Sequence, residues 1–163
     1  MTQQNPAAQT AKPAATNRRF YSLMGFVAVS MLSAIALSQS ASAGTLKINI
    51  DGMENIKGNV MLAIFDHADF FPSKTEKAVT TAMSAVVSET MTITVADLPP
   101  GKYGLSVYHD ENGNGEFDRN FMGVPSELYG FSNNVRGFAG PPEFEETLIT
   151  VTDDQKTISI GLE

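Results

Sequence analysis

Side chains that carry oxygen recur at alternate positions in one short segment of the chain, which reads HDENGNGEFD over residues 109–118. Calcium takes about six to eight oxygen ligands, and a tight loop with this spacing can point carboxylate, amide and carbonyl oxygens at one centre. Gly115 stands where such a loop must turn sharply. The sequence therefore predicts a calcium site whose ligands are Asp110, Asn112, Asn114, the backbone carbonyl of Glu116, and Asp118.

One position of the calcium-loop pattern is not matched. The twelfth position normally holds a bidentate Glu, but here it is Phe121, and no flanking helices are predicted. The segment is therefore not an ordinary EF-hand. An Asn/Gly-rich turn at the end of a strand explains the same residues, because Asn, Asp and Gly tolerate left-handed backbone. Both interpretations stay open.

A second segment, residues 123–134, combines aromatic, amide and carboxylate side chains. It belongs to a long irregular stretch from Glu111 to Pro142, and such stretches in compact domains are frequently functional. We therefore hypothesise a ligand-binding surface made of Glu127, Tyr129, Phe131, Asn133 and Asn134. The alternative is that the aromatic residues pack a small core of the loop's own, as in an Ω-loop.

The residues that could support catalysis are few. The chain has two histidines, His67 and His109, and it contains no Gly-x-Ser-x-Gly elbow, no His-Glu-x-x-His pair and no glycine-rich phosphate loop. A small envelope hydrolase could use His109 with acidic residues of the 110–146 loop. However, His109 also continues the apolar face of a predicted strand. We therefore favour a binding or structural module over an enzyme.

The elements that must position these residues are predicted to be strands. Three segments alternate apolar and polar residues, as strands with one buried face do, and they span 46–50, 91–95 and 103–107. Residues 59–65 are apolar on both faces, residues 78–87 favour a strand, and residues 148–151 and 158–162 predict a closing hairpin. About seven short strands without an amphipathic helix predict an all-β antiparallel β-sandwich, transthyretin-like or Ig-like, with one long irregular loop.

Two resemblances agree with this fold. The stretch LPPGKY over residues 98–103 is similar to the turn into a strand in transthyretin-like and carboxypeptidase-regulatory-like sandwiches, and a tyrosine corner at Tyr103 would fit it. The chain from Gly44 to Glu163 resembles the secreted bacterial proteins catalogued as domain of unknown function 2141, most specifically over residues 109–118, 123–134 and 142–145. This resemblance implies an exported bacterial β domain whose signature lies in the irregular stretch.

The first 43 residues predict a secretory signal peptide. Arg18 and Arg19 precede an apolar run from Phe20 to Leu37, and Ala41-Ser42-Ala43 supplies a cleavage site, so the mature chain is predicted to start at Gly44. An uncleaved membrane anchor is the alternative, because the run approaches membrane-spanning length. We expect one β-sandwich domain over residues 44–163, without a membrane span, in the periplasm or secreted.

The charge and the cysteine content limit the partners of this domain. Residues 44–163 hold 18 acidic residues against eight Lys and Arg, a net charge of −10. Because nucleic-acid affinity comes mostly from Lys and Arg contacts to phosphate, we expect no nucleic-acid partner, and an unidentified envelope or extracellular ligand instead. The chain has no cysteine, so an exported domain must be stabilised by its core or by a metal.

Overall fold

The computed structural model describes residues 43–163, in which eight β-strands and three short 3₁₀ helices follow one another. The strands are β1 (Gly44–Asp51), β2 (Asn59–Phe65), β3 (Thr80–Ala85), β4 (Met91–Leu98), β5 (Gly101–Asp110), β6 (Tyr129–Phe131), β7 (Ile149–Val151) and β8 (Gln155–Gly161). The 3₁₀ helices span Thr75–Lys77, Ser132–Asn134 and Phe144–Thr147. Within residues 43–163, no helix has the length and apolar character needed to cross a membrane. The predicted signal peptide lies outside the described residues, apart from its last residue, Ala43.

The smaller sheet has three strands in the order β4-β1-β8. Its central strand, β1, is antiparallel to β4, with Ile48 opposite Ile93, and parallel to β8, with Ile48 opposite Ile158. Alternation along β1 buries Leu46, Ile48 and Ile50 on one face. This is the period of two that the sequence predicts.

The larger sheet has five strands, in the order β3-β2-β5-β6, and β7 also pairs with β5. The outer edge of β5 is shared by two short strands, because β6 pairs with residues 106–108 and β7 pairs with residues 101–103. Between β6 and β7 the chain leaves the sheet for residues 132–148. The irregular stretch therefore begins directly after β5, and the strands β6 and β7, which flank its second half, both pair with β5.

The apolar residues of both sheets pack into one core between them. It includes Leu46, Ile48, Ile50, Val60, Leu62, Ile64, Ile93, Leu105, Val107, Ile149, Val151, Ile160 and Leu162. Burying one side chain of this size contributes roughly 1.5–3 kcal/mol. The core is thus the means of stabilisation that a chain without disulfides requires. The prediction of an all-β sandwich is confirmed, with eight strands where about seven were expected.

The predicted closing hairpin is wrong. Residues 149–151 and 155–161 do form strands, but β7 pairs with β5 of the larger sheet and β8 pairs with β1 of the smaller sheet. The short turn between them therefore carries the chain from one sheet to the other. The same step makes the β1–β8 pair parallel, in a sandwich that was predicted to be antiparallel throughout.

The tyrosine corner predicted at Tyr103 is present. The Tyr103 hydroxyl donates to the carbonyl oxygen of Pro99 at 2.8 Å, across the turn between β4 and β5. Burial raises the pKa of Tyr103, so the hydroxyl stays a proton donor. This bond fixes the start of β5, the strand that carries the candidate site at its other end.

Candidate functional site

The 110–118 loop leaves the end of β5, and its first carboxylate is built into the fold. Asp110 is 1% exposed. Its Oδ1 accepts from the N–H groups of Gly113 at 2.7 Å and Asn114 at 3.1 Å, and its Oδ2 accepts from the N–H of Gly115 at 2.9 Å. Gly113 and Gly115 have φ of 74° and 77°, which glycine adopts without a steric penalty. A carboxylate has about four acceptor sites, so Asp110 retains capacity for a cation.

Three polar side chains of the loop converge on one point. The Asn112 amide lies 2.6 Å from Asp118 Oδ2, and the Asn114 amide lies 3.2 Å from each oxygen of Asp118. The amide oxygens of Asn112 and Asn114 meanwhile accept from the N–H groups of Asn114 and Glu116. Rotating either amide by half a turn exchanges its oxygen and nitrogen, which have nearly the same size. The loop can therefore present amide oxygens to this point only if each amide gives up the hydrogen bond that its oxygen now accepts from a backbone N–H.

Glu127 brings a further carboxylate to this loop. Its Oε2 accepts from the N–H of Asp118 at 3.1 Å, whereas its Oε1 is buried and has no hydrogen-bond partner. Burial raises the pKa of Glu127, and the carboxylates of Asp118 and Asp110 raise it further, while the backbone N–H groups of Asp118 and Glu111 partly oppose this rise. A buried carboxylate oxygen without a partner is energetically costly. Glu127 is thus a negative group that lacks a compensating positive one.

Residues 119–126, which lie between Asp118 and Glu127, form a separate hairpin that we call the finger. Arg119 and Pro125 form a β-bridge, and the N–H of Ser126 donates to the Asp118 carbonyl at 3.0 Å. Phe121, the residue at the twelfth loop position, is 97% exposed at its tip. Glu127 therefore reaches the loop from beyond the finger. From the sequence, Glu127 was assigned to the ligand surface, and the missing twelfth ligand was the one signal that pointed to a substitute further along.

The described residues contain no point at which three or more His, Cys, Asp or Glu side chains stand ready to hold a metal ion. A cation in this loop would therefore depend on amide and carbonyl oxygens as well as carboxylates. Those are the ligands that a hard ion such as calcium accepts. Glu116, which was predicted to contribute its carbonyl, has an exposed side chain.

Glu111, the second residue of the loop, lines the same small cavity as Asp118 and Glu127, together with Lys57. Its carboxylate forms an ion pair with Lys57 at 2.9 Å and accepts from the Asn55 amide at 3.1 Å. The hydrogen bond from Lys57, followed by that from Asn55, lowers the pKa of Glu111. Glu111 therefore anchors the loop to the β1–β2 connection.

His109 lies inside the fold and is 0% exposed. Its Nε2 lies 2.7 Å from the carbonyl oxygen of Lys57, and because a carbonyl only accepts, Nε2 carries the proton. Its Nδ1 has no hydrogen-bond partner and lies 4.0 Å from Glu111 Oε1. The imidazole does not reach solvent, where a substrate would approach.

Aromatic side chains of the predicted ligand surface belong to a row of rings on the outer face of the larger sheet. Tyr108 and Tyr129 stand opposite each other on β5 and β6, on the face away from the core residue Val107. Neighbouring ring centroids are 5.3–5.8 Å apart along the row, which runs Tyr108, Phe117, Tyr129, Phe131, Phe71 and Phe144. Phe131 is 5% exposed. Tyr129 and Phe131 therefore pack in a row that also includes Tyr108 of β5 and Phe71, and do not form a core of the loop's own.

The amides of the same segment bind backbone groups of the fold. Asn133 donates to the carbonyls of Glu146 and Leu148 at 2.9 and 3.1 Å, and Asn134 accepts from the N–H of Gly161 at 2.9 Å. Both asparagines have positive φ, 62° and 52°. They therefore connect the irregular stretch to the residues just before β7 and to the end of β8. Ligand binding by this segment stays a prediction.

The comparisons with known proteins give one match. A family model described as "uncharacterized protein conserved in bacteria (DUF2141)" matches residues 48–159, which is more than half of the chain. The match includes the 110–118 loop, the finger and the aromatic row, and it confirms the resemblance seen in the sequence. No curated protein and no solved structure matches the chain.

Proposed function

Because this chain belongs to the DUF2141 family of uncharacterized bacterial proteins, we propose its function from the geometry of its own loop: a calcium-stabilised binding module of the cell envelope. The ion would be held by Asp110, Asn112, Asn114, the carbonyl of Glu116, Asp118 and Glu127. These residues supply six ligands if each contributes one oxygen, and calcium takes about six to eight. When bound, the ion would supply positive charge to the loop.

The single observation that carries this proposal is the unpaired oxygen of Glu127. Glu127 Oε1 is buried without a partner, and its carboxylate shares one region with those of Asp118 and Asp110. Like charges this close disfavour each other's ionised form, and a divalent cation reverses that effect. Glu127 also takes the role that Phe121 leaves empty at the twelfth loop position.

Export to the envelope is supported by the N-terminal sequence. Residues 1–43 have the charge, apolar run and small residues of a signal peptide, and β1 begins at Gly44, the predicted first residue of the mature chain. Extracellular calcium modules have dissociation constants of about 10⁻⁴–10⁻³ M, so a weak site of this kind suits an exported protein.

Thermal unfolding with and without calcium tests the metal site. At a calcium concentration about a hundred times the dissociation constant, the free energy of unfolding should rise by about 2.7 kcal/mol. Glu127→Gln keeps an oxygen that can accept from the Asp118 N–H but removes the negative charge, so most of this increase should disappear. Glu116→Gln is the matched control, because only its backbone carbonyl is a proposed ligand.

The results that would overturn the metal site are equally specific. Wild-type protein that melts at the same temperature in calcium and in chelator has no stabilising site. A calcium response that survives Glu127→Gln unchanged would show an ion elsewhere, since the proposed site depends on that carboxylate.

A further inference from the structure

The finger presents an apolar tip that the rest of the fold does not cover. Phe121, Met122 and Val124 are 97%, 72% and 53% exposed. They are neighbours on one short hairpin. Contiguous exposed apolar groups of this kind mark interaction sites rather than ordinary surface.

Hydrogen bonds fix the shape of this tip. The Asn120 side-chain oxygen accepts from the N–H groups of Met122 and Val124 at 2.9 and 3.1 Å, and the Gly123 N–H donates to the Asn120 carbonyl at 2.8 Å. The Arg119 guanidinium donates to the Gly123 carbonyl at 3.1 Å and lies over the Phe117 ring. The apolar side chains are therefore displayed by a defined hairpin.

The same bonds favour a lipid bilayer as the occupant. The N–H groups that donate within the finger or to its base are those of Asn120, Met122, Gly123, Val124 and Ser126, and Pro125 has none. Backbone polar groups that enter a bilayer must be satisfied internally, because hydrocarbon offers no partner. Within the finger only the N–H groups of Arg119 and Phe121 have no acceptor among these bonds, so the finger offers few free donors with which to add a strand to a partner's sheet.

The charge beneath the finger gives the condition for docking. The finger itself, residues 119–126, has one cation and no acid, in a domain with a net charge of −10. Its base is bounded by Asp118 and Glu127, and these carboxylates would repel the phosphates of an anionic headgroup layer. Calcium in the loop would compensate two negative charges directly below the tip.

From this arrangement we infer that the finger is a calcium-dependent membrane-docking element, which inserts Phe121, Met122 and Val124 into the interface of a phospholipid bilayer. The calcium dependence rests on the proposed metal site; the insertion rests on the exposed tip and its internal hydrogen bonds. Bilayer contact of this kind is peripheral and needs no membrane span.

The chain has no tryptophan, so a single introduced tryptophan reports its own surroundings. Phe121→Trp in the full chain, purified as the expressing cell processes it, should emit at shorter wavelength when phosphatidylethanolamine–phosphatidylglycerol vesicles and calcium are both present. Chelator should reverse the shift. Phe138→Trp is the matched control, because Phe138 is 102% exposed on a different loop, and its emission should not move. Phe121→Ala should weaken vesicle co-sedimentation by about tenfold or more.

Each other outcome overturns the inference. No shift of Phe121→Trp with calcium and vesicles, or an equal shift of Phe138→Trp, removes membrane docking. A shift that chelator does not reverse removes the coupling to calcium. If the emission of Phe121→Trp shifts with envelope protein that is free of lipid, and not with vesicles, the tip binds a protein partner. The melting experiment decides calcium binding separately, so a protein that binds calcium but ignores vesicles contradicts only this inference.

Discussion

The 110–118 loop and the segment from Tyr129 to Asn134 have similar compositions but use their side chains in opposite ways. In the segment, rings pack against rings, and amides bond to backbone groups just before β7 and at the end of β8. In the loop, Asn112, Asn114 and Asp118 turn toward one another, and Glu127, which accepts from the Asp118 N–H through Oε2, keeps its buried Oε1 without a partner. A polar, irregular segment therefore indicates a site only where the fold leaves its polar groups without hydrogen-bond partners.

The largest effect should come from the segment. Phe131→Ala removes a buried ring from the middle of the aromatic row, and truncations of this kind cost about 3–5 kcal/mol. Denaturant unfolding measures the loss, and Phe138→Ala, which truncates a fully exposed ring, is the control. Suppose that Phe131→Ala is as stable as wild type but no longer binds a ligand that the wild-type protein captures from envelope extract. The segment is then a binding surface, and it does not differ from the loop in the way described.

A smaller effect is expected at the start of the loop. Asp110→Ala leaves the N–H groups of Gly113 and Gly115 without their acceptor and removes one of the two acceptors of the Asn114 N–H, which should cost roughly 2–3 kcal/mol even in calcium-free buffer. Asp110→Asn keeps one side-chain oxygen and should lose less. If Asp110→Ala loses stability only when calcium is present, Asp110 acts by holding the metal, and its hydrogen bonds to the backbone N–H groups do not organise the loop.

Asn134→Ala tests whether the amides of the segment from Tyr129 to Asn134 stabilise the fold. It removes the acceptor of the Gly161 N–H and places alanine at a φ of 52°, so about 1–2 kcal/mol of stability should be lost. Asn134→Gly removes the same bond but accepts the backbone, and the difference between the two variants in chemical denaturation isolates the strain. Equal stability of alanine variant and wild type would free Asn134 for a role in recognition.

The smallest effect is the pH dependence contributed by Glu127. The pKa of Glu127 is raised above 4.5 in the folded state, so between pH 4.5 and this higher pKa the folded protein binds more protons than the unfolded protein. Stability without calcium should therefore fall as the pH rises through this range. With calcium the sign should reverse, because the ligand must be deprotonated. The difference between wild type and Glu127→Gln, followed by urea unfolding across pH 4–7, checks this. The same slope with and without calcium would place Glu127 outside the metal site.

Local patterns predicted much of this molecule. Alternation located β1, β4 and β5, and the resemblance of LPPGKY to the turn of known sandwiches suggested a tyrosine corner at Tyr103, whose hydroxyl bonds to Pro99. The closing hairpin was mispredicted because the partners of β7 and β8 lie far away in the sequence, on β5 and β1. Strand pairing over such distances leaves no mark on neighbouring residues.

The same limit applied to the site. The spacing of Asp110, Asn112, Asn114 and Asp118 is local and was readable, whereas the approach of Glu127 depends on how residues 119–126 fold back. Phe117 was treated as part of the loop, but its ring packs between Tyr108 and Tyr129. Its role required knowing that β5 and β6 are neighbours.

The pairing of β8 with β1 also determines when this fold can be completed. The first and last strands of the described domain lie side by side, and beyond β8 the terminal Glu163 exchanges two backbone hydrogen bonds with Tyr129 of β6. The C-terminal residues thus join the smaller sheet to the larger one. Contacts between such distant residues form late and slow folding. A chain that crosses a membrane N-terminus first would therefore keep this edge of β1 unpaired until β8 also reaches the far side.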